Sequence, residues 1–214
     1  MNKFKIYAIL LLFLLLNTTM ISSIVSAAPV LKSGSQTGDV WDLQYRLSTL
    51  GFYTQPLDGS YGVHTKAAVF KFQKKYGLSP DGITGARTWE LLKKHSLNIY
   101  EMDILAKIIY SEARGEAYKG QVAVGAVVMN RIQSNLFPNH IKGVVFQPGA
   151  FTAVDDGQYW LIPNRTAYLA ALDAVRGWDP TQNSLYYFNP DTATSKWIWS
   201  RPQNLKIGKH IFTS

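Results

Sequence analysis

One short pattern occurs twice and dictates how the front half of the chain can fold. Asp58-Gly59-Ser60-Tyr61-Gly62-Val63-His64-Thr65 and Asp81-Gly82-Ile83-Thr84-Gly85-Ala86-Arg87-Thr88 share the spacing D-G-x-x-G-x-x-T at a period of 23 residues. In each copy Asp bonds its local backbone, Gly supplies positive φ, and Thr stands where a following helix begins. A chain punctuated this often holds neither a long helix nor a broad sheet. Apolar spacing near 3.6 then predicts three short helices, through Val40, Leu43, Leu47 and Leu50, through Ala68, Val69, Phe72 and Tyr76, and through Trp89 and Leu92. The result is a small helical bundle with little room for an internal active site.

The N-terminus carries a different signal. Lys3 and Lys5 precede an apolar run from Ile6 to Leu16, and Val25-Ser26-Ala27-Ala28-Pro29 is a small-residue cleavage site. Residues 1–27 read as a secretory signal peptide cut after Ala27, because the apolar run falls short of the ~20 residues a spanning helix needs. The expectation is an exported protein with no stable membrane span after cleavage. Losing that leader removes two lysines and no acid, so the formal charge falls from +8 to +6. Nine Lys/Arg against five Asp/Glu lie between Ala28 and Asn98, and eleven against nine lie beyond. An exported chain with its positive charge concentrated in front points to an anionic extracytoplasmic polymer and away from nucleic acid. Cys is absent, which excludes disulfide scaffolds, cysteine nucleophiles and thiolate metal sites. Catalysis falls to carboxylates, histidines, hydroxyls or lysines.

Gly38-Asp39-Val40, Leu43-Gln44, Leu47, Leu50-Gly51-Phe52, the two turns, Phe72-Gln73, Gly77-Leu78 and Thr88-Trp89 together resemble the peptidoglycan-binding domain type 1 family over residues 35–92. The resemblance implies a non-catalytic wall-anchoring module, assigned to residues 35–94. Tyr61, His64 and Arg87 are its turn-proximal candidates for touching glycan, set against roles in packing and turns.

Beyond Ser96-Leu97-Asn98 a second unit is expected over residues 100–214, its first helix starting at Asp103. Ile104 and Ile108 repeat at i and i+4, and Glu112 is the next member of that row. A carboxyl that finishes an apolar stripe is partly desolvated, which raises its pKa and lets it hold a proton for donation. Spacing alone also admits a last-turn carboxylate paired with Arg114 or Lys119.

Ser111-Glu112-Ala113-Arg114-Gly115-Glu116, Gly120 to Arg131, Gln147 to Val154 and Tyr186-Tyr187-Phe188-Asn189-Pro190 are similar to the catalytic domain of the spore cortex-lytic cell wall hydrolases, the SleB/CwlJ family, from about Leu105 to Phe212. The order of leader, binding module and catalytic domain matches the first branch of that family better than the second. The resemblance implies a lysozyme-like fold, cleavage of the N-acetylmuramic acid to N-acetylglucosamine bond in spore cortex peptidoglycan, and Glu112 as general acid. It also implies an inhibitory or stabilising partner protein in the dormant spore. The fold class is therefore mainly α with an α+β component, a three-helix bundle followed by a lysozyme-like domain with a small antiparallel sheet.

Glu116 lies four residues past Glu112, but Gly115 interrupts that turn, so Glu116 is expected to order the loop or support Glu112 from behind. A lytic transglycosylase needs no second carboxylate, because the sugar's own C6 hydroxyl attacks, whereas retaining and inverting hydrolases use a pair. Residues 120–133 are apolar almost all round, as in a buried helix. Gln121 and Asn130 at its ends orient Glu112 or bind an N-acetyl group, or else cap the helix and bond within the core. Phe151 and Thr152 sit in a loop suited to sugar binding, and Asp155-Asp156-Gly157 reads as a turn in preference to a charge stabiliser. A further helix is expected over 164–176 with Tyr168, Leu172 and Val175 inward and Gly177 as its stop. Leu185 to Phe188, Trp197-Ile198-Trp199 and Ile207 to Phe212 read as strands of a small antiparallel sheet, with Tyr187, Asn189 and Trp197 near the cleft.

The chain holds four His, with no H-E-x-x-H and no close-spaced pair. A zinc-dependent N-acetylmuramoyl-L-alanine amidase is thus the weaker enzymatic reading, and no metal or other cofactor is expected. Neither G-x-S-x-G nor S-x-x-K occurs to support a serine nucleophile. A non-catalytic wall-binding protein is the remaining alternative, opposed by Glu112 standing in its full motif.

Overall fold

The structure is a computed structural model that describes residues 28–214, and the expected signal peptide lies outside the described residues. Helices α1 (Gly38–Thr49), α2 (Val63–Lys75) and α3 (Ala86–His95) form the front bundle. Val40, Leu43 and Leu47, then Ala68, Val69 and Phe72, then Trp89 and Leu92 meet in its core, as the apolar spacing predicts.

The repeated turns are each locked by a buried glutamine. Gln44 Nε2 donates to Asp58 Oδ1 at 2.8 Å, to the Ser60 carbonyl at 3.0 Å and to Thr65 Oγ1 at 3.0 Å, while its Oε1 accepts from Asp58 N at 3.1 Å and Gly59 N at 2.9 Å. Gln73 does the same in the second copy, donating to Asp81 Oδ1 at 2.8 Å and the Ile83 carbonyl at 2.9 Å and accepting from Gly82 N at 2.9 Å. The echo in the sequence is therefore one device used twice, a loop closed around an amide that the preceding helix supplies. Tyr61 is part of it. At 2% exposure, with its hydroxyl donating to the Gly82 carbonyl at 2.9 Å, Tyr61 is core and unavailable to a glycan surface. Burial pushes its phenol up to about 12. His64 and Arg87 are exposed, and Arg87 pairs with Glu90 at 2.6 Å.

The second unit is built on α4 (Ile99–Ala113), α5 (Tyr118–Gln133) and α8 (Arg165–Val175), with short helices α6 (Ile141–Val145) and α7 (Thr152–Asp155) against them. α4 begins at Ile99, four residues ahead of the expected start. Asn98 and Glu101 form a reciprocal capping box at 2.8 and 2.7 Å, which satisfies two end donors better than Asp103 alone. Asp103 pairs instead with Lys107 at 2.7 Å and accepts from the Tyr168 hydroxyl at 2.6 Å. Tyr168 accordingly faces outward, contrary to the inward placement expected for it. The face of α8 that packs inward is lined by Ala167, Ala170, Ala171 and Ala174, small residues that let α5 and α4 approach. Gly125 on α5 marks the tightest point, since a Cβ there would meet Ile109 Cδ1 at 2.8 Å and Ala174 Cβ at 3.0 Å.

The sheet has order β1-β3-β2, formed by β1 (Tyr186–Phe188), β2 (Gln203–Ile207) and β3 (His210–Thr213), all antiparallel. The run Ile207 to Phe212 is split by a hairpin turn at Gly208, whose φ of +56° and whose closeness to the Glu116 carboxylate both exclude a side chain. Trp197-Ile198-Trp199 is no strand: Lys196–Trp199 is a short helix, α9. Tertiary partners override the β-propensity of these residues. Trp197 lies edge-on to Tyr186 at 5.1 Å, Trp199 to Phe188 at 4.7 Å, and Ile198 is buried.

The two units touch through a buried arginine. Arg46 on α1 bonds Asp42 at 3.0 Å, the Ser96 carbonyl at 3.0 Å and Glu101 at 3.1 Å, so the charge that caps α4 also receives the module. Arg176 Nε reaches back to the Thr49 carbonyl at 3.0 Å. No helix among the described residues is long and apolar enough to cross a membrane.

Candidate active site

Glu112 lies in the last turn of α4, where the apolar row that begins at Ile104 and Ile108 brings it against the core. Its side chain opens into a cleft of about 550 Å³ lined by residues 149–152 from the segment leading into α7, by Tyr187, Phe188 and Asn189 at β1, by residues 192–195, and by Arg131 and His210. Ala153 N donates to Glu112 Oε1 at 2.8 Å, and the Tyr187 hydroxyl donates to Oε2 at 3.0 Å. Neither Arg114 nor Lys119 pairs with it. Arg114 turns to the Ser111 carbonyl at 3.1 Å and Gln158 at 2.7 Å.

Burial pushes the Glu112 carboxyl above its ordinary value, and the Ala153 N–H, the Tyr187 hydroxyl and the more distant Arg131 cation pull the other way without cancelling it. The outcome is an acid that keeps its proton more readily than a solvated glutamate, with two donors in place to receive the carboxylate left after transfer. Tyr187 is partly buried, and desolvation together with the Glu112 charge holds its phenol well above the usual range. It stays protonated and serves as a donor.

Other expected site residues divide into two groups. Phe151, Thr152, Tyr187 and Asn189 line the cleft with Glu112. Asn189 also folds the loop beyond it, its Oδ1 accepting from Asp191 N at 3.0 Å and its carbonyl from Ala193 N at 2.9 Å. Glu116, Gln121, Asn130 and Trp197 do not line it. Glu116 accepts from Lys209 N at 3.3 Å and so orders the β2–β3 hairpin. Gln121 Nε2 donates to the Glu116 carbonyl at 3.2 Å. Asn130 holds the 179–184 loop, donating to Asp179 Oδ2 at 3.0 Å and the Ser184 carbonyl at 3.1 Å. Gln121 and Asn130 thus take the core-bonding alternative. Asp156 closes a turn onto Gln158 at 3.0 Å, as the Asp-Asp-Gly run suggests.

Sequence reasoning missed Arg131, His210, the Ala153 amide and the 192–195 loop. Arg131 had a visible signal, a cation set in a helix otherwise apolar all round. His210 is 9% exposed, stacks edge-on to Tyr187 at 5.1 Å, and is drawn below its ordinary pKa by burial. His140, the other histidine of this unit, accepts from Gly143 N at 3.1 Å and caps α6. Within the cleft lining Glu112 is the sole carboxylate among the described residues. A larger groove of about 830 Å³ between the two units, past Arg46 and Lys93, contains none of this constellation.

The chain matches the Cell Wall Hydrolase family over residues 115–213 and the Putative peptidoglycan binding domain over residues 36–92. A Spore cortex-lytic enzyme of Bacillus cereus is 45% identical, with 98% of this chain and 97% of that protein aligned. One from Bacillus subtilis is 36% identical over 99% of both. Among solved structures, the catalytic domain of the germination-specific lytic transglycosylase SleB from Bacillus anthracis is 61% identical, with a TM-score of 0.53, over 55% of this chain and 97% of that one.

Proposed function

The chain belongs to the spore cortex-lytic enzyme family, and from that premise we propose that it cleaves the N-acetylmuramic acid to N-acetylglucosamine bond of cortex peptidoglycan during germination, as a lytic transglycosylase. The observation that carries the chemistry is one half-buried carboxyl, Glu112, whose pKa burial raises, in a cleft with no second carboxylate in its lining among the described residues. A hydrolase of the paired-carboxylate kind needs a second acid as nucleophile or base.

In this reading the Glu112 proton passes to the bridging oxygen, the bond from muramyl C1 to that oxygen breaks, and cationic charge develops at C1. Ala153 N–H and the Tyr187 hydroxyl stabilise the carboxylate formed at the same moment. The muramyl C6 oxygen then bonds to C1, and its proton returns to Glu112, which restores the acid and leaves an anhydro-muramyl end. Thr152 supplies a hydroxyl for the sugar, Phe151 backs that wall from the core, and Asn189 and Tyr187 close the opposite lining. Residues 35–94 hold the enzyme to the wall and residues 100–214 cut it, after export directed by residues 1–27. The amidase reading has no observation in its favour: His140 is used as a cap, and His210 stands in the cleft beside aromatic rings.

Mass spectrometry of cortex peptidoglycan digested by the protein tests this reading. Anhydro-muramyl ends are expected. Reducing muramyl or glucosaminyl ends contradict the transglycosylase outcome, and free peptides released from intact glycan contradict glycosidic cleavage altogether.

A further inference from the structure

Arg131 stands in the wall of the cleft as a buried cation without a counter-ion. It is 6% exposed and lines the same space as Glu112. Its guanidinium carbon lies 5.1 Å from the ring centres of both Phe137 and Phe151 and 5.5 Å from that of Tyr186, and Nε donates to the Leu185 carbonyl at 2.8 Å. That bond uses one of the five N–H donors in a rigid planar fork. Among the described residues no carboxylate pairs with Arg131, and Nε alone donates to a protein acceptor.

A cation removed from water and left unpaired is unfavourable, and aromatic faces recover only part of the loss. They also leave the terminal N–H groups without protein acceptors, and these atoms open to the cleft instead of being enclosed in the core, so an incoming molecule can reach them. The Nε tether and the three rings fix the guanidinium before anything binds, which lowers the entropic cost of using it. A glycan entering the cleft brings hydroxyl oxygens, ring oxygens and acyl carbonyls. Only the acyl carbonyls concentrate enough negative charge to suit a guanidinium, and they lie off the C1 centre, where a neighbouring cation would oppose the developing positive charge.

We propose that Arg131 is a substrate-binding residue whose terminal N–H groups hold an acyl carbonyl oxygen, acetamido or lactyl, of the sugar at the scissile bond. This rests on the reading of the cleft as a glycosidic site, and it adds the group that fixes the sugar's orientation against Glu112. Arg131 is the polar contact in the aromatic wall, as Glu112 is in the helical one.

The test uses the mature chain with Glu112→Gln to prevent turnover, with Arg131→Lys or Arg131→Gln added, and calorimetric titration with two ligands. One is a chitin tetrasaccharide, which carries acetamido groups alone. The other is an uncross-linked glucosaminyl-muramyl tetrasaccharide, which carries lactyl groups as well. Loss of about tenfold or more in affinity is expected in both variants, since the lysine keeps the charge and loses the fork. A loss with both ligands assigns the acetamido carbonyl, and a loss confined to the muramyl ligand assigns the lactyl one. Affinities within about twofold of the parent for both ligands overturn the proposal, as does a parent that binds neither. Circular dichroism confirms folding, and if Arg131→Gln does not fold, Arg131→Lys decides the matter. A kinetic arm on otherwise native protein separates a role exerted through Glu112: Arg131→Lys should raise KM and leave the pH limbs of kcat in place. An unchanged KM with a displaced alkaline limb contradicts binding. A native protein that cleaves no glycan refutes the glycosidic reading and is recognisable as such before any variant is made.

Discussion

The turns of the front bundle and the cleft of the second unit both bury polar side chains, and they use them in opposite ways. Gln44 donates to Asp58, Ser60 and Thr65 while its oxygen accepts from two backbone amides, so nothing is left over for another molecule. Glu112 has two donors against it, yet burial still raises its pKa, and Arg131 in the same cleft spends one N–H of five. Polar groups whose bonding is complete hold a fold, and those held rigid with bonding incomplete are available to a substrate. The same contrast separates Asn130, whose amide N–H groups are taken by Asp179 and the Ser184 carbonyl, from its neighbour Arg131.

Four measurements on three variants can break or sharpen that contrast. Glu112→Gln should lower turnover by about 10²–10⁴-fold, the usual contribution of a general acid, while binding to sacculi is unchanged. Retention of near-normal turnover would place the chemistry elsewhere. Gln44→Leu should cost about 3 kcal/mol in chemical denaturation, because it strands the Asp58 and Gly59 amides in a tightly packed loop. A change below about 0.5 kcal/mol would show that the loop closes without its amide plug. Tyr187→Phe should lower kcat by about tenfold through the lost donor to Glu112, and should move the alkaline limb of the rate profile to higher pH, since one of the groups favouring the carboxylate is gone. A limb that moves downward contradicts the hydrogen bond's direction. The smallest effect is on stability. A carboxyl whose folded pKa is raised contributes fully below its unfolded value and loses that contribution as pH rises through the folded one. The Tm of Glu112→Gln should therefore match the native protein at about pH 4 and exceed it at about pH 8, with no crossover in the other direction.

Much of this was legible from residue spacing, and the failures share a cause. The three front helices and the position of Glu112 follow from local apolar periodicity. The D-G-x-x-G-x-x-T echo marks its turns, but that Leu43-Gln44 and Phe72-Gln73 supply the amides inside them depends on helix placement, which no local rule gives. Tyr187 was readable as an aromatic in a strand near the motif. His210, by contrast, reaches the cleft only because β3 is the central strand, and the Ala153 amide contributes through backbone geometry with no side-chain signature. Local periodicity places neither Trp197 nor Tyr168: Trp197 packs on Tyr186 across the loop that joins β1 to α9, and Tyr168 bonds Asp103 on a helix far away in sequence. Gln121 and Asn130 stand out in sequence as polar ends of a buried helix, and the structure gives both of them protein partners away from the cleft lining.

The proton on Glu112 is the centre of the account, and a ¹³C NMR titration of the glutamate side-chain carboxyls, with Glu112→Gln to assign the signal, observes it directly. Glu112 should titrate above the ordinary glutamate value of about 4.3, and higher again in Tyr187→Phe. A Glu112 signal that titrates at or below that value would mean the carboxyl is an ordinary anion at neutral pH and no proton donor.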